Sequence, residues 1–184
     1  RIEDWNYWLH RWVIFSTSPF ANAAAFVNGT PAVSAIAVSP ETATVTAVND
    51  RARTDVYVHK TDADTGKALN GYEFRLYRID GDKQGWVKAE NNTVLEKDMY
   101  TTDFDDAKVA KLVTVNGKTP TLQGLPVGKY ELYETTLGEN REAYDLGTFA
   151  KDGNKHPGKL VDTQEVKANT TGVFTFEVKN RQVF

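Results

Sequence analysis

Three residues that could react with one another each close an apolar strand face in this chain: Lys60, Glu134 and Asn180. Lys60 follows Val56 and Val58 on alternate positions, Glu134 follows Tyr130 and Leu132, and Asn180 follows Phe174, Phe176 and Val178. Alternate residues of a β-strand share a face, so each polar group points the same way as the apolar residues before it. If those faces are buried, an amine, a carboxyl and a carboxamide are driven out of water together. Desolvation lowers the lysine pKa and leaves a neutral, nucleophilic amine; it raises the glutamate pKa and keeps the carboxyl protonated. A protonated Glu134 can polarise the Asn180 carbonyl. The Lys60 amine then attacks the amide carbon, Glu134 shuttles the protons, and ammonia leaves. The product is a Lys60–Asn180 isopeptide bond. A slow intrinsic rate suffices, because the reaction happens once between groups held at high effective molarity. Any one of these residues alone reads most simply as a solvated strand end, since Lys and Glu are seldom fully buried. Their coincidence in the first, a middle and the last strand of one unit is what points to chemistry.

The elements that position the trio are strands separated by turn chemistry. Thr61–Gly66 is a turn after the Lys60 strand. Tyr72, Phe74 and Leu76 form the inward set of the next strand, with Glu73 and Arg75 outward. Residues 80–108 form a polar insertion with weak elements around Trp86 and Val94. Leu112–Val115 reads as a strand, and Asn116-Gly117 as a hairpin turn. Gly124 and Pro126-Val127-Gly128 punctuate the chain before the Glu134 strand, where Glu131 and Tyr133 take the opposite parity and Glu131 is expected in solvent. Residues 135–159 are loop-rich, with a short strand near Leu146–Ala150. Gln164–Lys167 and Val173–Asn180 complete the pattern. Short strands at this spacing predict an all-β sandwich.

The first 53 residues differ. Trp5, Trp8, Leu9 and Trp12 recur at helical spacing and predict an amphipathic helix whose aromatic stripe packs on a core. A membrane-surface helix and a sugar-binding platform are the functional alternatives. A strand is the structural one, because Trp8, His10, Trp12 and Ile14 share a parity. Ala32–Val38 and Thr42–Asn49 read as strands, and Asp50–Thr54 as a charged linker, which divides the chain into 1–53 and 54–184. The 1–53 segment reads as the C-terminal part of a preceding β domain. It contains no lysine, so Asn49, although at the end of a strand pattern, has no donor within it.

Composition narrows the function classes. The 184 residues are 40% hydrophobic and 26% charged, with a net charge of −3, and a pI near 5.7. That is ordinary for a soluble domain and offers no broad basic face for nucleic acid. No apolar run is long enough to span a membrane. The start, Arg-Ile-Glu-Asp, has neither Met nor a signal-peptide pattern and reads as that of a processed or excised piece. There is no cysteine, which removes disulfides, thiolate metal sites and thiol nucleophiles. His10, His59 and His156 lack metal-ligand spacing. Asp62, Asp64 and Gly66 resemble the start of a calcium loop, but the required glutamate falls one place off, so a turn is expected. No catalytic triad, P-loop or dinucleotide fingerprint is present; no cofactor and no enzyme activity on other molecules are expected.

Several motifs in order resemble one family: Val56-Tyr-Val-His-Lys-Thr-Asp62, Thr65-Gly-Lys-Ala-Leu69, Gly71-Tyr-Glu-Phe-Arg-Leu-Tyr77, Leu122-Gln-Gly-Leu-Pro126, Gly128-Lys-Tyr-Glu-Leu-Tyr-Glu-Thr135 and Phe176-Glu-Val-Lys-Asn180. They look like the collagen-adhesin B-type (Cna B-type) domain of Gram-positive surface adhesins and pilins, over about residues 54–182. The resemblance implies a transthyretin-like (prealbumin-like, Ig-like) β-sandwich and an intramolecular isopeptide bond, with Lys60 as lysine, Glu134 as assisting glutamate and Asn180 as acceptor. The expected role is a structural stalk or shaft module of an extracellular, cell-wall-anchored adhesin or pilus, whose partners are neighbouring domains or subunits of a surface fibre. The alternative is a ligand-binding adhesin module that recognises a host glycan or extracellular-matrix protein through the Trp-rich N-terminus or the 80–108 insertion. A third reading is an accessory domain of a secreted hydrolase.

Overall fold

The computed structural model describes residues 2–6, 11–15, 22–27, 30–37, 52–168 and 172–183, with side chains from residue 52 onward. Its contacts divide the chain into two compact units, Arg1–Asn49 and Asp50–Phe184.

In the first unit, strands β1 (Ile2–Asn6), β2 (Arg11–Phe15), β3 (Asn22–Val27) and β4 (Thr30–Ala37) form an antiparallel meander in sequence order. Where the backbone is described, the expected helix is replaced by a hairpin in which Trp5 pairs with Trp12. Aromatic and β-branched residues suit a pleated surface at least as well as a helix. Trp8, His10 and the Thr42–Asn49 stretch with Asn49 lie outside the described residues, whereas the strand expected at Ala32–Val38 falls largely on β4.

The second unit opens with two long strands, β5 (Arg53–Asp62) and β6 (Glu73–Arg78). Short ones follow: β7 (Gly85–Val87), β8 (Ala89–Glu90), β9 (Thr93–Val94), β10 (Tyr100–Thr101) and β11 (Leu112–Val113). Next come β12 (Leu122–Pro126), β13 (Gly128–Thr136) and the hairpin of β14 (Thr148–Lys151) with β15 (Asn154–Pro157). The last two are β16 (Lys159–Val166) and β17 (Phe174–Asn180). One sheet has the order β10-β7-β6-β13-β16, with β11 also on β6; the other has the order β17-β5-β12-β9-β8. The first and last long strands, β5 and β17, are parallel neighbours.

Alternation fills the space between the sheets. Thr54, Val56, Val58, Lys60 and Asp62 of β5 are buried, while the residues between them are exposed or half-buried. Tyr72, Phe74, Leu76, Leu122, Tyr130, Leu132, Phe176 and Val178 join Val56 and Val58 in one core. Each such aliphatic or Phe side chain, fully buried, contributes roughly 1.5–3 kcal/mol.

The sequence did not announce a second core on the outer face of β6 and β13. Trp86, from the insertion, is fully buried there, with the rings of Tyr77, Phe104 and Tyr133 centred 5.0, 5.1 and 5.2 Å away, edge to face. Arg75, expected outward into solvent, is buried instead. Its guanidinium lies 3.9 Å from the Phe104 ring centre and donates to the Phe104 carbonyl at 2.7 Å. Glu131 is likewise not simply solvated: it is half-buried and accepts hydrogen bonds from Lys151 Nζ at 2.7 Å and the Tyr133 hydroxyl at 2.5 Å. The physical reason is one of layers. Residues 80–108 and the β14–β15 hairpin supply Trp86, Phe104 and Phe149 to cover a sheet face that would otherwise be wet.

Candidate functional site

Two parallel strands carry the lysine and the asparagine, and the facing sheet carries the carboxylate. On β5 and β17, Val178 stands opposite Lys60 and Asn180 opposite Asp62. Lys60 and Asn180 therefore point into the core from adjacent strands, one pleat apart. Glu134 reaches them from β13. All three are buried, Lys60 and Glu134 completely.

Glu134 bridges the other two. Its Oε2 lies 2.9 Å from Lys60 Nζ, and Asn180 Nδ2 donates to Oε1 at 3.0 Å and to Oε2 at 3.2 Å. The Lys60 ammonium has ion-pairing distance but no well-aligned hydrogen bond. Its walls are aromatic: the ring centres of Tyr72 and Phe74 are 5.4 and 6.0 Å from Nζ. Burial pushes the Lys60 pKa down to about 8, against the pull of the Glu134 charge, which acts to raise it. A far larger share of neutral amine is thus present near pH 8 than for a solvated lysine. A half-turn of the Asn180 carboxamide exchanges Nδ2 and Oδ1, so the same position can present either group to Glu134.

The local sequence explains why Lys60 is held so firmly. Asn116 and Gly117 adopt φ of 51° and 75°, closing the hairpin between Val115 and Lys118. The Gly117 carbonyl accepts from the Lys60 amide at 2.6 Å, and a Cβ at Gly117 would sit 2.9 Å from the Lys60 carbonyl oxygen. Only glycine lets this turn press on the strand that carries the amine.

Two neighbours escaped sequence reasoning. Lys159, assigned to a loop, stands at the start of β16 with Nζ 3.4 Å from Glu134 Oε1. Its only sequence signal is the Gly158-Lys159 step, since a glycine beside a strand often marks a close backbone approach. Asp62, taken as part of a turn, does form that turn: its Oδ1 accepts from the amides of Asp64 and Thr65 at 2.9 and 2.7 Å. Its Oδ2 also accepts from the Tyr144 hydroxyl and, at 3.1 Å, from Gln182 Nε2, which ties down the chain just after Asn180. The Tyr144 bond above all holds the Asp62 carboxyl well below the usual carboxylate range. Among the described residues no group of three or more His, Asp or Glu could hold a metal ion.

A family model described as the SpaA prealbumin-like fold domain matches residues 54–149, just over half of the chain. The major capsid protein of Bacillus phage B103 is 48% identical over 60 residues, which are 32% of this chain and 13% of that protein. The chain therefore spans only a small part of that relative. Among solved structures, the minor pilin of Streptococcus agalactiae is 23% identical with a TM-score of 0.42, over 72% of this chain and 46% of that one. The major pilin BcpA of Bacillus cereus is 19% identical with a TM-score of 0.38, over 71% and 30%. The major pilin SpaD of Corynebacterium diphtheriae is 16% identical with a TM-score of 0.38, over 71% and 30%.

Proposed function

The chain belongs to the SpaA prealbumin-like fold domain family, and from that premise we propose that residues 54–184 form a structural module of a surface-displayed fibre or adhesin, locked by a self-formed Lys60–Asn180 isopeptide bond. The observation that carries this reading is a single carboxylate, Glu134, shared in full burial by the Lys60 amine and the Asn180 carboxamide. Glu134 moves the protons, and Tyr72, Phe74, Tyr130 and Leu132 keep water away. The chemistry is spent on the chain itself, so the protein is not an enzyme toward other molecules.

The strand order gives the bond its use. Tension enters at the start of β5 and leaves at the end of β17. A bridge from Lys60 to Asn180 carries it between neighbouring strands, and every strand from β6 to β16 lies outside the loaded path. By analogy with a disulfide closing a loop of this length, the bond also stabilises the fold by roughly 5 kcal/mol through chain entropy. Residues 80–108 commit Trp86 and Phe104 to the second core, which favours a structural over a glycan-binding role for that insertion. Single-molecule pulling from both ends of the unit tests the proposal. The native unit should resist extension between residues 60 and 180, and the Lys60→Ala variant should extend fully; full extension of the native unit would refute it.

A second reading of where the module is displayed is favoured by the 48% match to a phage capsid protein. In it the same cross-linked sandwich is carried on a virion rather than on a cell wall. Gold-labelled antibody against residues 54–184 separates the two, marking cell-free particles in one case and cell envelopes in the other.

A further inference from the structure

The side chain at the end of β5 joins three stretches that lie far apart in sequence. Asp62 is buried. Its Oδ1 accepts from the Asp64 and Thr65 amides and from the Thr65 hydroxyl, at 2.9, 2.7 and 2.9 Å, and so closes the turn that follows. Its Oδ2 accepts from the Tyr144 hydroxyl and, at 3.1 Å, from Gln182 Nε2. Tyr144 follows the single turn of 3-10 helix at Arg141–Ala143, and Gln182 stands two residues past Asn180. The turn needs only one carboxyl oxygen; the other is committed to the chain that carries the acceptor amide. We propose that Asp62 and Tyr144 form a positioning clasp for the cross-link, which fixes the end of β17 so that Asn180, and not Val178, stands beside Glu134. This role rests on the isopeptide reading of the Lys60–Glu134–Asn180 trio.

A parallel strand with one apolar face can be placed in more than one way. Phe174, Phe176, Val178 and Asn180 share the inward face of β17. A slip of two residues along β5 leaves every side chain on the face it had, yet carries the carboxamide about 7 Å along the strand. The hydrogen bonds of a parallel ladder are evenly spaced, so they re-form after such a slip. What opposes it lies at the end of the strand. The Ala63 amide donates to the Asn180 carbonyl at 2.7 Å, and the Val183 amide to the Ala143 carbonyl at 2.8 Å. Gln182 adds its bond to Asp62.

Tyr144 is the common anchor. It is buried, and its ring meets the Tyr72 ring edge-on at 6.2 Å. The Tyr72 ring centre is in turn 5.4 Å from Lys60 Nζ, and the Tyr72 hydroxyl donates to the Glu139 carbonyl at 2.6 Å. The clasp on the acceptor and the aromatic wall beside the amine are thus one packed unit. In the reaction, Lys60 Nζ bonds to the side-chain carbonyl carbon of Asn180 as the bond from that carbon to Nδ2 breaks. The neutral amine gives up one hydrogen, and Nδ2 leaves with it as ammonia. Asp62 and Tyr144 move no proton in this step. They set how much of the time the carboxamide is within reach, and a misplacement of about 1 Å can cost on the order of a hundredfold in rate.

The test follows ammonia loss by mass spectrometry in the full chain, synthesised in a cell-free system and quenched in denaturant at intervals, at one pH. Circular dichroism checks that each chain is folded. Tyr144→Phe keeps the ring, removes the hydroxyl and should slow the loss about tenfold. Gln182→Met should slow it about threefold, and Gln182→Lys, which returns a donor to Asp62, should restore the native rate. Trp86→Phe disturbs the outer core without touching the clasp and should react at the native rate. A folded Tyr144→Phe chain with the native rate, a Trp86→Phe chain slowed as much as Tyr144→Phe, or a Gln182→Lys chain as slow as Gln182→Met overturns the clasp. Should Tyr144→Phe fail to fold, the two Gln182 variants decide. If the native chain loses no ammonia, the isopeptide reading itself fails and takes the clasp with it, a result distinct from a reactive native chain whose variants keep its rate.

Discussion

Glu131 and Glu134 stand on the same strand, each beside a lysine, and they meet opposite surroundings. Glu131 faces the outer layer, where its partner Lys151 is 2.7 Å away and both side chains keep about a fifth of their surface in solvent, 18% and 20%. Glu134 faces the inner core, where it and Lys60 keep none. Beside Glu131 stands a tyrosine hydroxyl; beside Glu134 stands a carboxamide. A lysine–carboxylate contact is thus a modest, partly solvated tie in one place and a fully desolvated one in the other. Burial and the identity of the third group make the difference. Water screens the outer pair; its absence from the inner one brings the Lys60 pKa down to about 8.

The comparison can be broken in order of effect. Glu134→Ala should prevent bond formation and leave Lys60 buried without its partner. Its stability loss should exceed that of any other substitution here, adding about 3–5 kcal/mol for the orphaned charge to the lost cross-link. Chemical denaturation together with intact mass measures both. Asn180→Ala removes the bond while keeping the Lys60–Glu134 pair, and should cost roughly 5 kcal/mol. Trp86→Ala empties the outer core and should cost about 3–5 kcal/mol, yet the protein should still lose ammonia; a variant that folds without losing it would mean the two layers are not separable.

A pH series on unbridged Asn180→Ala sharpens the inner half. The folded Lys60 pKa, about 8, lies below its ordinary value of 10.5. The unfolded chain binds more protons between those values, so stability should be flat below about pH 8 and rise toward pH 10.5, on the order of 3 kcal/mol in all. A fall in stability across that window would contradict the desolvated amine. Glu131→Gln should change stability by less than about 1 kcal/mol and leave the mass of the product untouched, apart from the substitution.

How far the sequence reveals this depends on which faces are wet. Val56, Val58 and Lys60 alternate with exposed residues, so the inward direction of the amine is legible in the pattern. The same holds for Phe176, Val178 and Asn180 on β17. On β6 the pattern fails, because after Glu73 every residue from Phe74 to Arg78 is buried. With a layer on each side, alternation carries no signal, and Arg75 reads as an outward residue when it stacks on Phe104. Lys159 is hidden for another reason: its approach to Glu134 depends on the register of a bulged pair, which neither residue type nor local spacing encodes. At the N-terminus, Trp5 and Trp12 fit a helical stripe and a cross-strand pair alike, and the pairing partner decides.

The most direct test of the cross-link is the intact mass of the native chain, denatured after folding. The account predicts a mass lower than the sequence mass by one ammonia, and, after proteolysis, a branched peptide joining Lys60 to Asn180. A folded chain at its full sequence mass would contradict it.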